Sequence, residues 1–590
     1  MAGSTEEPGE NVADLVAAAA RQRPDADGII DPASTATLTW TDVDAAVNVF
    51  ARRLSDADVR PGDRVGLRLP TCAELVIGLF AVFRAGAIAV PLSPTAPDAE
   101  ARERLTDCGA RLLVAHAGLG DVPALAPDLG RPGDVAADGP AGDPAAADPA
   151  AADPAAADPA AADPAAADPA AADPAAADPA AADPDAADPA AADPDAAGPD
   201  GHGAEVPAVA ESRPPQPVEP SGSQPVAPRA SGEDIAAIVY TSGTSGPARG
   251  VLLSHRALLA NVRQLAAVMP TGDGPDRTLL AVPLHHIYGL GPGLLVPTAT
   301  AATVVLAQRF DARDTLHACR THAISVVVGV PAMYADLASS PAGELADAAA
   351  TVETFLSGAA PLHPRVLNAI TDATGQAVYE GYGLTEAAPV VTSTLVTGQA
   401  KAGSVGRALP GVELRLVDSD GSPAHAPLDP ADPDDAFGDD IGLTGLVAVR
   451  GANLFSGYWP DGAHGPDADG WYRTGDVGYL DTDGDLHLVD RANDLIIVNG
   501  FNVYPREIED VVLTLPEVAE VAVVGVLDER AGESVRAVVR PEPGAALSEQ
   551  QVIDVCAARL ARYKVPSTVE LVDELPHTAV GKLRRVQLRT

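Results

Sequence analysis

The densest run of groups able to hold an anion is Tyr240-Thr-Ser-Gly-Thr-Ser-Gly-Pro-Ala-Arg-Gly250. Its glycines let the backbone wrap closely around a charged oxygen, and successive N–H groups and hydroxyls can hold that oxygen in place. The run follows an apolar strand-like stretch (IAAIVY, ending at Tyr240) and precedes a helical pattern that begins near Ser254. It is not the Walker A pattern, because no Gly-Lys-Ser/Thr closes it. Read alone, a flexible Gly/Ser loop accounts for these residues equally well.

Charge narrows what such a site could serve. The formal net charge is −44. That field repels a polyanion, and no basic cluster large enough to offset it occurs, so nucleic acid is not an expected partner. Any phosphate-bearing ligand must meet cations supplied locally. Lysine is nearly absent: Lys401, Lys564 and Lys582 are the only ones, so the position of each is informative. Lys582 lies in Pro576-His-Thr-Ala-Val-Gly-Lys-Leu-Arg584, where a solvated lysine in a basic tail is the plain alternative to a chemical role. Cys72, Cys108, Cys319 and Cys556 are scattered, without metal-ligand or redox spacing, and read as buried free thiols in a reducing cytoplasm. The first residues, MAGSTEEPGENVADL, lack a charged-then-apolar signal pattern, which adds to a cytoplasmic expectation. The longest uncharged run, from about Thr278 to Ala307, is broken by Pro283, Pro292 and Pro297 and reads as buried helix and strand, not as a membrane span. Peripheral membrane contact is left open.

The elements that must position these groups are legible as patterns. The chain has 590 residues, enough for more than one domain. Aromatics are only 4%, so the core must rely on Ala, Val and Leu. Between Leu38 and His116, TDVDAAVNVFARRL is apolar at helical spacing and VGLRL is a short strand. ELVIGLFAVFRAGAIAVPL reads as helix, Gly stop and buried strand, which is α/β wording. From Asp134 to about Ala230 the composition changes. Units of DPAAA recur from Asp143 to Asp193 and run into RPPQPVEPSGSQPVAPRA. Proline at that spacing removes helix donors and clashes with the preceding turn. We expect an extended, disordered acidic insert there, either a tolerated surface-loop expansion or a tether for a partner. A second acidic loop spans Asp429 to Asp440. The last unit begins near Asp494. EIEDVVLTL and EQQVIDVCAARLARY read as helices, VAEVAVVGV and VRAVVRPE as strands, which makes a small α+β domain.

Taken in order, these segments resemble the adenylate-forming, AMP-binding superfamily: acyl-CoA synthetases, luciferases and peptide-synthetase adenylation domains. The run Thr241, Ser242, Gly243, Thr244, Ser245, Gly246 looks like its phosphate loop, with Ser245 where the family has Thr, Ala248 where it has Pro and Arg249 where it has Lys. Arg keeps the charge but presents a planar fork instead of a point charge. Ser357-Gly358-Ala359-Ala360-Pro361 resembles the segment lining the adenine pocket, and Glu380-Gly-Tyr-Gly-Leu-Thr-Glu386 the next signature. The resemblance implies that Glu380, Gly381 and Tyr382 belong to the nucleotide site, with Tyr382 stacked on adenine. It further implies that Thr385 contacts the α-phosphate and that Glu386, with Thr241, holds Mg²⁺. A carboxylate is a hard oxygen ligand suited to that ion on phosphates. Tyr472-Arg-Thr-Gly-Asp476 resembles the ribose site, which makes Asp476 the acceptor for both ribose hydroxyls and Arg491 a second ribose contact. Asn493 falls at the hinge position, where Asn tolerates unusual backbone angles. Lys582 matches the catalytic lysine near the C-terminus, and Lys564 matches a segment whose role is structural. His286, in Pro283-Leu-His-His-Ile-Tyr-Gly289, matches a histidine near the acyl carboxylate, with core packing the alternative for it and for His285.

The implied fold is α/β. A large N-terminal adenylate-forming domain of stacked α/β sheets, with a small β-barrel-like subdomain, would occupy 1–133 and 231–492 around the insert 134–230. A small mobile α+β domain, 493–590, would carry Lys582. The implied reaction is ATP-dependent activation of a carboxylic acid, with Mg²⁺, to an acyl-adenylate, then transfer to coenzyme A at a face near Gly500. Ile496–Glu509 and EGYGLTEAAPVV are most similar to medium- and long-chain fatty acyl-CoA ligases. The alternatives are a fatty acyl-AMP ligase delivering to a carrier protein, a ligase for an aryl or dicarboxylic acid, and a non-catalytic scaffold. The intact Lys582, Glu386 and Asp476 argue against the scaffold. A peptide-synthetase module is not expected, since only eight residues follow Lys582, too few for a carrier segment.

Overall fold

The computed structural model describes residues 10–119, 121–127, 230–241, 248–270, 276–418, 421–422, 444–491, 496–498, 501–528, 532–578 and 583–589. The acidic repeat, the loop 429–440, Ser242–Pro247, Asn493, Gly500 and Lys582 lie outside the described residues.

Two sheets share one apolar core. The first has nine strands in the order Arg407–Ala408, Val390–Ser393, Val378–Gly383, Thr354–Ser357, Val326–Gly329, Arg277–Leu280, Thr303–Leu306, Asp27–Asp31 and Ala36–Thr39. Its interior, from Val378–Gly383 to Asp27–Asp31, is parallel. Two of its central strands read VVVG and TVVL, the near-continuous apolar wording that a strand covered on both faces requires. The second sheet has six strands, Ala124–Leu125, Leu112–Val114, Arg64–Leu67, Ile88–Pro91, Ile235–Tyr240 and Gly250–Ser254, with only the last pair antiparallel.

Helix Ala73–Arg84 (AELVIGLFAVFR) is buried at every residue except Glu74. A helix apolar all round belongs inside a protein. Its side chains join Leu280 and Val328 of the first sheet to Val65 and Ala237 of the second in one cluster. Arg84 at its end is buried but paired, with Asp44 at 2.8 Å and the Ala13 carbonyl at 3.1 Å, as a buried cation must be. The uncharged run is buried as expected. Strands Arg277–Leu280 and Thr303–Leu306 flank a wide-turned helix, Gly289–Leu295, that continues as Val296–Ala299. No described helix is long and apolar enough to cross a membrane. All four cysteines are free and buried.

An antiparallel four-stranded sheet, Val412–Val417, Thr444–Gly451, Tyr472–Leu480 and Leu486–Arg491, stands where the barrel-like subdomain was expected. The last unit is the small α+β domain. Strands Phe501–Val503, Ile496–Val498, Gly532–Pro541, Val518–Asp528 and Thr568–Leu571 pack with helices Pro505–Val512 and Glu549–Arg559 around a core of their own. It touches the larger part through Arg506, which donates to the Leu488 carbonyl at 2.8 Å, and through Thr514, whose carbonyl accepts from Arg365 at 3.2 Å.

Candidate active site

Strand Val378–Gly383 is parallel to Thr354–Ser357 on one side and antiparallel to Val390–Ser393 on the other. Open α/β sheets bind ligands in a crevice outside the carboxyl ends of their parallel strands. A cavity of about 750 Å³ lies there. The return to Val390–Ser393 is tight: a Cβ on Gly383 would meet the Pro389 carbonyl at 2.2 Å, so only glycine fits. This turn presents Thr385 and Glu386 on the cavity wall.

Tyr382 and Asp476 meet across this cavity. The Tyr382 hydroxyl donates to Asp476 Oδ2 at 2.5 Å, and both residues are buried. Asp476 is oriented by its strand. Its N–H donates to Thr474 Oγ1 at 3.1 Å, and Thr474 in turn donates to the Val447 carbonyl. Arg491 stands opposite Asp476 in the strand register. Gly358, Ala359, Gly381 and Tyr382 line the cavity together, and a Cβ on Gly358 would lie 2.9 Å from the Tyr288 ring.

Glu380 and Ala360, expected among the nucleotide-binding residues, are not on that wall. The Glu380 carboxylate is buried behind it and accepts the Leu362 N–H at 3.0 Å, which braces the loop that follows Ser357. Burial pushes its carboxyl up to about 7, against the opposing hydrogen bond.

Glu386 accepts from the Tyr458 hydroxyl at 2.5 Å through Oε1, and Tyr458 and Tyr472 hydroxyls lie 3.1 Å apart. Burial and the Glu386 charge push the Tyr472 phenol up to about 12. The Arg249 guanidinium sits over the Tyr458 ring, 4.1 Å from its centre. The other Glu386 oxygen takes no hydrogen bond among the described residues, and the Thr241 hydroxyl lines the same cavity. One carboxylate and one hydroxyl form a hard donor set that fits Mg²⁺ carried on phosphates, where the ion keeps several waters. Sequence reasoning passed over Tyr458. The aromatic cluster Phe455, Tyr458 and Trp459, in a chain with 4% aromatics, was the available signal.

His285, His286, Tyr288 and Leu356 also line the cavity. Burial, aided by the Arg104 charge, depresses His285 to about 4, so it is neutral at physiological pH. Sequence reasoning gave no role to helix Asp98–Asp107, yet its Glu100 and Arg104 also line the cavity as an ion pair.

The flanks of Lys582 reach the same place. Thr578 and Arg584 line the cavity, and His577 and Leu583 are bridged in antiparallel fashion as the two sides of a hairpin. His577 anchors this hairpin: Nε2 lies 2.6 Å from Glu520 Oε1, and Nδ1 lies 2.8 Å from the Leu575 carbonyl. The Glu520 hydrogen bond raises the imidazole above its usual value, against the opposing effects of burial and of Arg540. Arg540 in turn reaches Glu520 Oε2 at 3.3 Å.

The sequence matches the AMP-binding enzyme family over residues 16–459 and the AMP-binding enzyme C-terminal domain over residues 507–582. The chain belongs to the AMP-binding enzyme family. It is 34% identical over 358 residues to a long-chain-fatty-acid–CoA ligase of Bacillus subtilis (strain 168), a match that covers 60% of this chain and 61% of that protein. It is 37% identical over 398 residues to an indoleacetate–CoA ligase of Aromatoleum aromaticum, covering 65% and 74%. The matched region thus spans less than two thirds of the length of the B. subtilis long-chain ligase. Among solved structures, ATP-bound MatB from Rhodopseudomonas palustris aligns with a TM-score of 0.75 at 26% identity, covering 98% of both chains. The o-succinylbenzoate CoA synthetase MenE of Bacillus subtilis, in complex with its acyl-adenylate intermediate, shares the fold at 24% identity with a TM-score of 0.72, covering 99% of both chains.

The His577 clamp carries a sign. A base raised by its partner contributes fully below its unfolded value of about 6.5 and loses that contribution as pH rises through the higher folded value. In a pH series of thermal melts of the C-terminal domain, His577→Gln should lower the midpoint below about pH 6.5 and have a vanishing effect at high pH. An effect independent of pH would show that the imidazolium does not hold the hairpin.

Proposed function

We propose that the chain is an AMP-forming acid–thiol ligase. It activates a carboxylic acid, a fatty acid in the first reading, and transfers the acyl group to coenzyme A in the cytoplasm. The observation that carries this is the meeting, in one cavity, of the Tyr382–Asp476 pair, Glu386 and the two flanks of Lys582. Asp476 accepts from the ribose hydroxyls and Tyr382 covers the adenine, while Gly358 and Ala359 leave room for it. The substrate carboxylate attacks the α-phosphorus of ATP, the bond to the leaving pyrophosphate breaks, and charge gathers on phosphate oxygens. Stabilising that charge with groups already in place is the main lever on the rate. Arg249, Thr385 and Lys582 do this, and Glu386 with Thr241 would hold Mg²⁺, which would supply further charge neutralisation on the phosphates. In the second half-reaction the thiol attacks the acyl carbonyl and AMP leaves. A swing about Asn493 removes Lys582 and brings the Gly500 face to the thiol, a lid-type step. The CoA-ligase names of the relatives support coenzyme A as the acceptor over a carrier protein.

The test is pyrophosphate release with ATP, Mg²⁺ and acids from acetate to palmitate, with and without coenzyme A. Sustained turnover only with coenzyme A is expected, and Lys582→Ala should lower adenylation by about 100-fold or more without unfolding the chain. Adenylate formation indifferent to coenzyme A would replace the acceptor by a carrier protein. Failure to bind ATP would overturn the reading.

One observation favours a second reading, an acid with a polar far end such as an aryl or dicarboxylic acid. Arg104 lines the cavity beside Glu100, Tyr240 and His285, and a bare alkyl chain there would strip water from a charge. Arg104→Leu should then raise the preference for decanoate over a dicarboxylic acid of similar length by about tenfold in kcat/KM. An unchanged ratio removes this reading.

A further inference from the structure

Tyr458 lies outside the signature segments named in the sequence analysis, yet its side chain touches three of them. Its hydroxyl donates to Glu386 at 2.5 Å, its ring lies under the Arg249 guanidinium at 4.1 Å, and its oxygen is 3.1 Å from that of Tyr472, at the start of the strand that holds Asp476. We propose that Tyr458 is a positioning residue for adenylation: it fixes the metal-holding carboxylate and the phosphate-loop arginine relative to each other. The inference rests on the ligase reading above.

The backbone puts Tyr458 in reach of both groups. The segment Ser456–Trp459 runs along strand Gly250–Ser254, which leaves the glycine-rich loop. Leu252 N–H donates to the Gly457 carbonyl at 3.0 Å and Trp459 N–H to the Gly250 carbonyl at 2.8 Å. Phe455 N–H donates to the Glu386 carbonyl at 2.9 Å, so the same segment also grips the turn that carries Glu386. The ring itself is buried and held edge-on by Phe455, with centroids 5.1 Å apart. A shift of the loop end is thus passed through a rigid ring to the carboxylate, and the reverse.

The chemistry of each contact suits this role. A phenol donating to a carboxylate at this length is a charge-assisted bond, among the stronger hydrogen bonds available. The Tyr458 hydroxyl gives its proton to this bond. It occupies one oxygen of Glu386 and stops the side chain from turning, which leaves the second oxygen for the ion. On the other face, the Arg249 guanidinium lies over the ring. A planar guanidinium stacks on an aromatic ring in a way that an ammonium does not. Arg249 and Tyr458 therefore form a matched pair in this chain.

Two variants separate the contacts. Tyr458→Phe keeps the ring under Arg249 and drops the hydroxyl. Tyr458→Leu drops both. Titration calorimetry with ATP in EDTA, and again with excess Mg²⁺, reads binding without turnover. The half-saturating Mg²⁺ in ATP–pyrophosphate exchange reads it in the reaction. For Tyr458→Phe we expect ATP affinity in EDTA to be unchanged, the Mg²⁺-dependent gain to fall about tenfold, and half-saturating Mg²⁺ to rise by a similar factor. Its melting midpoint should stay within about 4 °C of wild type. Tyr458→Leu should also weaken ATP in EDTA, since Arg249 loses its platform. A wild-type Mg²⁺ dependence in Tyr458→Phe would overturn the inference. So would an equal loss with and without the ion, which marks a merely structural role. If the wild type itself binds no ATP, the ligase reading fails and the inference falls with it, an outcome distinct from either.

Discussion

The hydrogen bond from Tyr382 to Asp476 joins residues 94 positions apart in the chain and ties together two sheets built independently. Tyr382 ends a strand that is parallel to one neighbour and antiparallel to the other, and Asp476 belongs to the four-stranded antiparallel sheet. The cavity exists because these two elements close on each other at that reversal. Glu386 hangs from the turn directly after Tyr382, and Tyr472 lies on the strand of Asp476, so the hydrogen bonds through Tyr458 run parallel to the Tyr382–Asp476 bond and reinforce it. The site is therefore braced twice before any ligand arrives, and preorganisation of this kind is what makes fixed charges effective in stabilising a developing one.

Net charge sharpens the point. At −44 the chain repels both a nucleoside triphosphate and a phosphorylated thiol, so the cavity must supply positive potential of its own. Arg104, Arg249 and Arg584 line it. Of the lysines, Lys401 is committed elsewhere, with Asp481 at 2.6 Å and Asp483 at 2.9 Å, and Lys564 pairs with Glu507 at 2.9 Å, in keeping with a structural part. Asp481, Asp483 and Asp485 cluster closely enough to suggest a cation site, but the Lys401 ammonium already sits against all three.

Much of the fold was legible because its signals are local. Helix Ala73–Arg84 announces itself by an unbroken apolar run, and the helices and strands of the last unit fall where their periodicity puts them. The cavity residues Tyr382, Thr385, Glu386 and Asp476 were found through family resemblance, since no spacing rule brings positions so far apart in the chain together. The same dependence explains why Glu380 was grouped with its neighbour Tyr382: it stands in the same signature, and only the structure shows its carboxylate buried on the Leu362 N–H. Tyr458 and Arg104 were missed for the converse reason. Each reaches the cavity through contacts made only in three dimensions, and the aromatic cluster around Tyr458 was the one local hint.

The central claim is that Asp476 holds the ribose while Tyr382 holds Asp476. The most direct test is the ATP dissociation constant of Asp476→Asn, measured at equilibrium beside its melting midpoint. The amide keeps an oxygen for the Tyr382 hydroxyl but gives up the charged acceptor that both ribose hydroxyls need. A loss of affinity of about tenfold or more with the midpoint nearly unchanged is the predicted result. Wild-type affinity for ATP would place the ribose elsewhere and contradict the account.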